Sequence, residues 1–533
     1  MYKPCTLVLG NIALPIDASF EEAFSVARAK LKKLGLASDK HTFGIYRRSI
    51  DARKKDNIKF VYSVSVFGQF SESEIDKAKS GGFSVLKDDA IEFKPCTQSD
   101  EHICVVGSGP CGLFCALTLA ENGYNVTLLE RGDSIEKRNI AVERFKKERI
   151  LDINSNIQFG AGGAGTFSDG KLVTRINDSM SGYVLRKFVE FGAPIDILYQ
   201  AKPHIGTDIL SQIVDAMFSR IIELGSRVMY NTTFLDFAEI NGKITSVKTN
   251  IGDIPCTALV LAIGHSARDT YERLIEKNLQ IDAKDFSVGM RIEHNTEIID
   301  RGMYGSFAGH KSLGHAEYTL SYNTASRGVY TFCMCPGGVV VPAASEEGGV
   351  VVNGMSYHKR DGRNSNSALC CSIFKSDYGA TPQKAIEFQR HIERAAFVAA
   401  GSDYSAPIIT VGDLLSDECK TVPSDILPTY MDGEGVKLVS PYEYLPRVVV
   451  DSIKGGILDF DRKIKGFATS SAVLTGPETR TSAPVRILRD PVTRLCNGFT
   501  NLYPSGEGAG YAGGITSAAI DGIKTAIAIM NNR

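Results

Sequence analysis

The sequence predicts an α/β chain with a mixed α+β insert and an N-terminal α+β unit. Three observations carry this. An apolar strand runs into a glycine turn and a helix at 102–123, the first hundred residues read βαββαβ, and short strands alternate with helices through a long middle stretch. With 533 residues, the chain is long enough for two or three domains and a core that encloses a sizeable ligand. Formal net charge is -1, from 60 basic and 61 acidic residues, so no global field points to nucleic acid or an anionic membrane. No apolar run approaches the roughly 20 residues that cross a bilayer. The N-terminal run TLVLGNIALPI is broken by Asn11 and Pro15 and lacks a basic flank or cleavage site. Twelve cysteines lie without a disulfide framework or the C-x-x-C spacing of a zinc site, which suits a reducing compartment and places no metal. A soluble, cytoplasmic protein is expected.

In the first unit, expected over 1–97, TLVLGNIAL reads as a strand. Ser19 and Glu22 make a capping box ahead of the amphipathic run FEEAFSVARAKLKKLG. HTFGIYRRSI and IKFVYSVSVF alternate as two strands around the turn DARKKDN, and a short helix near SESEIDKAK and a last strand near AIEFKP follow. That order suggests a ferredoxin-like split unit. Arg47, Arg48, Arg53, Lys54, Lys55 and Lys59 form a basic cluster, and a solvated hairpin is preferred over an anion site because charge runs in turns usually serve solubility. Pro95 to Glu101 reads as the linker.

The next part, expected over 98–285 and 476–533, opens with HICVVGSGPCGLFCALTLAENGYNVTLLERG. Gly107, Gly109 and Gly112 follow a strand and open a helix, and Glu130 closes the next strand about 20 residues on. This is the context of a Rossmann-like dinucleotide unit. The first glycine makes the turn, the second admits a pyrophosphate to the backbone, and the third lets helix and strand pack, while the helix N-terminus faces the phosphates. Pro110 and Cys111 begin that helix. Glu130, next to Arg131, is placed for the ribose hydroxyls, and a carboxylate there disfavours a 2′-phosphate, so FAD or NAD is read here and not NADP. Cys111 and Cys115, one helical turn apart, read as small core residues rather than a redox dithiol.

Two further stretches match the same glycine pattern without its context. GEGAGYAGG precedes a terminal helix but no strand and acid follow it. It resembles the C-terminal flavin motif of FAD oxidoreductases, which implies that Gly506 and Glu507 meet the ribityl and phosphate part and that Gly513, Gly514 and Ile515 approach the ring. A helix N-terminus there stabilises an anionic reduced flavin. LAIGHSARD resembles the middle motif of these proteins, with Ala262 and Gly264 near the adenosine half. QFGAGGAGTFSDGK has neither flanking strand nor helix, since Asp169 and Gly170 break the pattern. Its position resembles that of the glycine-serine loop of succinate dehydrogenase and fumarate reductase-type flavoproteins. This implies that Gly162, Gly163, Gly165, Thr166 and Ser168 lie along the flavin's N5 edge, with Lys171 adding a charge. FAD is longer than NAD and is clasped from several parts of a chain, so three loops on one FAD is the expectation.

The longer strings RRSIDARKK, GAGGAGTFSDGKL, LAIGHSARDTYERL, FSVGMRIEH, FCMCPGGVVVPAASEEGGVVVNGMS, LTGPETRTSAPVRI and GEGAGYAGGI make the chain similar to a poorly characterised bacterial family of FAD-dependent dehydrogenases or oxidoreductases. The resemblance implies an FAD-binding domain of the glutathione-reductase type and an FAD cofactor, with Glu507 where many relatives carry aspartate. It names no substrate.

Flavin chemistry passes a hydride at N5, so the protein places a substrate carbon over the ring and manages protons. NADH or NADPH is a possible transient reductant, since no second full dinucleotide unit is found. The insert, expected over 286–475, is read as covering the flavin. Arg291, Arg480 and Arg486 are candidates to orient a carboxylate, and Glu293 or His265 to exchange protons, each weighed against an ordinary ion pair or loop anchor. Cys333 and Cys335 read as same-face core residues of a strand. The leading function is an FAD-dependent oxidoreductase acting on a small organic molecule. The alternative is a flavin-containing binding protein whose N-terminal unit recruits a macromolecule such as RNA.

Overall fold

A computed structural model describes residues 2–86, 91–96, 101–174, 178–324 and 326–532. They divide into two compact units, one of residues 1–92 with 194–204 and 300–316, the other holding the rest.

The first unit follows the order β1 (Lys3–Pro15), α1 (Phe20–Lys33), β2 (Thr42–Asp51), β3 (Lys59–Phe70), α2 (Glu72–Ser80) and β4 (Phe83–Val85). Its sheet runs β2-β3-β1-β4 with every pairing antiparallel. Both helices start at reciprocal capping boxes, Ser19 with Glu22 and Ser71 with Glu74. The last strand is Phe83–Val85, paired with Leu7–Leu9, and not the expected stretch near AIEFKP. Buried Phe83 is what ties β4 to the core, whereas 91–96 carry no strand and Ala90 lies outside the described residues. Residues 97–100 of the expected linker also lie outside them. Much of the basic cluster is engaged within the unit. The Arg48 guanidinium lies 4.9 Å from the Phe60 ring and 5.7 Å from those of Phe20 and Tyr199, Arg53 pairs with Asp51 at 2.6 Å, and Lys55 donates to the Gly302 carbonyl.

The second unit is built on a five-stranded parallel sheet, in the order Leu502–Pro504, Ala258–Leu261, β5 (His102–Val106), β6 (Asn125–Leu129), Arg227–Met229. Its central strands are near-continuous apolar runs because helices cover both faces. Between β5 and β6 lies α3 (Pro110–Glu121), buried from Cys111 to Ala120, which packs on the terminal helix Ile515–Asn531. The two backbones touch. A Cβ on Gly522 would lie 2.1 Å from the Cys111 carbonyl oxygen, so only glycine fits there, and Cys111 and Cys115 are buried in the helix it packs on.

The middle of the chain forms one seven-stranded sheet, in the order Ser321–Asn323, Gly328–Cys335, Asn364–Ile373, Phe286–Asn295, Val473–Glu478, Ala406–Thr410, Val436–Leu438. Phe286–Asn295 pairs along its whole length with Asn364–Ile373, and Val473–Glu478 straddles the expected boundary at 475. The apolar runs at 339 and 352 make a separate antiparallel pair. Among the described residues no helix is long and apolar enough to cross a membrane.

Candidate functional site

At the carboxyl ends of the parallel strands lies a cavity of about 400 Å³, where open α/β sheets bind ligands. All three glycine stretches reach it. Gly107, Gly109, Pro110 and Cys111 line it from the first, Gly163, Gly165, Ser168 and Lys171 from the second, and Glu507, Gly513, Gly514 and Ile515 from the third, with Glu130, Arg131, Ala262 and Gly264 between them. The loops meet at Gly165, where a Cβ would stand 3.4 Å from both Pro110 Cγ and Ile515 Cγ1.

The first loop is set by the elements it joins. Gly107 has φ +96° and its N–H donates to the Leu129 carbonyl at 2.8 Å. A Cβ on Gly107 would lie 2.3 Å from the Ala262 oxygen, and one on Gly112 would lie 1.9 Å from the Gly107 oxygen. Gly112 therefore does not line the cavity. It lets helix and turn close behind it.

The second loop is held by a side chain that sequence reasoning missed. Arg138 is fully buried and its guanidinium donates to five carbonyls of the segment: Asn156 (2.8 Å), Ile157 (2.9 Å), Gly160 (3.3 Å), Ala161 (2.7 Å) and Gly163 (3.0 Å). It also lies 4.8 Å from the Phe167 ring. Burial pulls its basicity down to about 10, with Glu130 opposing. Glu130 completes the clamp. One carboxylate oxygen accepts from the Ser108 N–H and hydroxyl at 3.1 and 2.6 Å, the other from the Gly132 and Gly160 N–H groups at 3.0 and 2.9 Å. A carboxylate has about four acceptor positions, so the residue expected at the ribose hydroxyls here stitches the first loop to the second. Gly162 and Thr166 lie behind the wall. A Cβ on Gly162 would meet the Thr166 hydroxyl at 2.2 Å, and that hydroxyl donates to the Ala161 carbonyl at 3.3 Å.

The third loop hangs on Asp521, which accepts from the Gly506 N–H at 2.7 Å and pairs with Arg489 at 2.8 Å and with Arg494. Burial opposes its ionisation, yet the two arginines hold its carboxyl down at about 2. Gly506 thus serves as an anchor behind the wall. The Tyr271 hydroxyl spans the Gly264 and Gly508 carbonyls at 3.1 and 2.8 Å, tying the middle motif to the third loop. Burial pushes Glu507 up to about 7, against Lys284.

The proposed substrate residues separate. His265 and Arg480 line the cavity; Arg291, Glu293 and Arg486 do not. Arg291 is fully buried beneath the wall, where it forms a bidentate pair with Glu478, both bonds 2.8 Å, and donates to the Cys333 carbonyl and Asn366 at 3.0 and 2.8 Å. Glu293 is fully buried too, bonded by Thr429 and Asn364, and burial pushes its carboxyl up. Arg486 donates to the Gly510 carbonyl at 3.2 Å and lies 5.2 Å from the Tyr511 ring. Arg480 meets Glu393 at 3.0 Å, and Glu393 also holds Arg268 at 2.7 Å. His265 is pushed down to about 3 by burial, with Arg480 and Arg268 adding, so it is neutral at physiological pH. Lys171 pairs with buried Asp169 at 2.9 Å, and Asp169 is also paired with Arg360. Among the described residues no cluster of His, Cys, Asp or Glu is arranged to hold a metal.

Residues 285–481 match the family described as FAD-dependent protein, C-terminal domain-like. Residues 105–138 match an NAD(P)-binding Rossmann-like domain and 9–67 a domain of unknown function. An uncharacterized protein of Clostridium beijerinckii (strain ATCC 51743 / NCIMB 8052) is 46% identical over 520 residues, covering 96% of this chain and 97% of that one. The chain belongs to the FAD-dependent oxidoreductase family. Among solved structures, the flavoprotein is similar to glycine oxidase from Bacillus cereus ATCC 14579 (12% identity, 81% of this chain and 96% of that one, TM-score 0.33). It is also similar to L-proline dehydrogenase from P. horikoshii (12%, 82% and 94%, TM-score 0.34) and to CtdE in complex with FAD (9%, 81% and 84%, TM-score 0.33).

FAD is the cofactor of this family, and the flavoprotein's residues fit it. Gly107 and Gly163 line the cavity where a Cβ would collide with other backbone, and at Gly513 of the third loop a Cβ would meet nothing within 4 Å, so glycines of all three loops leave the bare backbone a long polyphosphate ligand needs for close approach. The α3 N-terminus opens on the same cavity.

Proposed function

We propose that the flavoprotein transfers a hydride between flavin N5 and a small organic substrate, with all three glycine loops on one FAD. The observation that supports this reading is the meeting of the loops at Gly165, between Pro110 and Ile515. When bound, the flavin supplies two-electron chemistry. The chain's own residues do the rest. Gly107 to Cys111 and the α3 N-terminus take the pyrophosphate, Gly163 to Ser168 and Gly513 to Ile515 bracket the ring, and Glu507 faces the ribityl chain. Lys171, held at the wall by Asp169, supplies a fixed positive charge. Neutral His265 offers a proton acceptor bonded to Ser266 at 2.9 Å, and Arg480 is committed to Glu393 as Lys171 is to Asp169. Anaerobic addition of NADH or NADPH to the FAD-loaded protein, followed by a screen of 2-oxo acids, small disulfides and quinones for reoxidation, tests this. The reading predicts bleaching by one nicotinamide and reoxidation by one compound class. A protein that takes up FAD, is reduced by dithionite, and exchanges electrons with nothing in the screen contradicts it.

A further inference from the structure

We propose that Cys333 and Cys335 form a dithiol–disulfide pair in the cavity wall that carries two electrons between the flavin and a small disulfide substrate. This rests on the oxidoreductase reading and names its substrate class. Alternation along a regular strand would set two such cysteines on one face about 6.6 Å apart, near the upper limit for a disulfide. The strand is not regular there. Phe332 pairs with Ala368 and Cys335 with Asn366, so three steps of one strand cover two of the other, and Cys333 takes φ +45°, rare outside glycine. The bulge turns Cys333 into the cavity while Cys335 stays buried beneath it. It also folds the Cys335 Sγ back to 3.3 Å from the Cys333 carbonyl oxygen. Bulges beside active sites re-aim side chains in this way.

Two cations flank the pair. Arg291 donates to the Cys333 carbonyl at 3.0 Å and reaches the Cys335 Sγ at 4.0 Å, and Lys171 donates to the carbonyl of Met334 between them. Hydrogen bonding from Cys335 holds the Cys333 thiol below the ordinary thiol range, against burial and with Arg291 and Lys171 adding, while the same contact and burial raise Cys335. Glu478, Asp169 and Glu507 are the carboxylates facing the pair. Cys333 is thus the nucleophile and Cys335 the resolving thiol. The Cys333 thiolate attacks one sulfur of the substrate disulfide, breaking that bond and releasing one thiolate, which takes a proton from solvent. Cys335 then loses its proton and attacks the Cys333 sulfur. A Cys333–Cys335 bond forms, and the second substrate thiolate leaves with that proton. Two electrons from the reduced flavin and two protons, one at each sulfur, reopen the pair.

Full-length protein is reduced, desalted, treated with glutathione disulfide, alkylated and digested with trypsin. The peptide 328–359 carries both cysteines and no others. It is expected to lose both alkylation sites and to weigh two hydrogens less, with or without FAD, whereas Cys335→Ser leaves a glutathione adduct on Cys333. Anaerobic dithionite titration of the FAD-loaded, oxidised protein is expected to consume two electron pairs per flavin, and one in Cys335→Ser kept free of the glutathione adduct by omitting glutathione disulfide. A peptide that stays doubly alkylated, or a wild-type titration complete at one pair, overturns the inference while leaving FAD binding intact. Failure to take up FAD, read from the visible spectrum of the same sample, counts instead against the oxidoreductase reading.

Discussion

The first and second glycine loops do similar work by different means. Gly107 to Gly112 is held by what lies next to it in the chain, a strand before it and a helix after it, with glycine backbone packed against glycine backbone. Gly160 to Ser168 has only a short 3₁₀ turn of its own, Ala164–Phe167. It keeps its shape because Arg138 gathers five carbonyls and Glu130 collects the Gly160 amide. One loop is local structure and the other is a long-range polar network. The second is therefore the more fragile, because removing one side chain leaves several buried groups unpaired at once.

Arg138→Met should expose this difference most strongly. It orphans up to five buried carbonyls, and we expect a loss of about 3–5 kcal/mol in denaturant unfolding together with loss of FAD retention. A variant that keeps both would show that the loop holds itself. Gly163→Ala strikes where the loops touch, since its Cβ would lie 2.8 Å from the Gly109 Cα at φ +63°. A destabilisation of about 1–3 kcal/mol and at least tenfold weaker FAD binding by fluorescence titration are expected.

The third loop adds a pH test. Asp521 sits at about 2 in the folded chain, below the roughly 3.9 of an unfolded aspartate. Its contribution of about 2 kcal/mol is therefore present above pH 4 and is lost as pH falls towards 2. Wild type should lose more stability than Asp521→Asn between pH 5 and pH 3, and equal acid sensitivity in the two would remove Asp521 as the anchor. The smallest effect is expected from Arg486→Ala. It loses a surface-side bond to Gly510 and a ring contact at Tyr511, about 1 kcal/mol, with FAD affinity unchanged within twofold.

The same contrast explains what was legible in the sequence. Local grammar was readable: the βαββαβ order, the β5–α3–β6 unit, the terminal helix and the capping box at Ser19. Three glycine stretches read as neighbours because the second lacks a flanking strand and helix and the third lacks a following strand and acid, and the cavity gathers them. Long-range polar partners were not readable. Nothing in IEKRNIAVERFKKE sets Arg138 apart from its neighbouring cations, because what distinguishes it is the carbonyls it meets. The same holds for Asp521 and Tyr271, and for Arg291 and Glu293, whose motif suggested a substrate site but whose partners are Glu478 and Thr429. Cys333 escaped because a bulge breaks the alternation on which same-face packing was argued.

Three glycine loops on one cofactor should hold a single FAD, read from the FAD content of purified, FAD-saturated protein by the absorbance released on denaturation per mole of chain, with Arg138→Met alongside. One FAD per chain in wild type and a near-complete loss in Arg138→Met is the predicted result. More than one FAD per chain, or one that survives loss of the second loop's clamp, would contradict it.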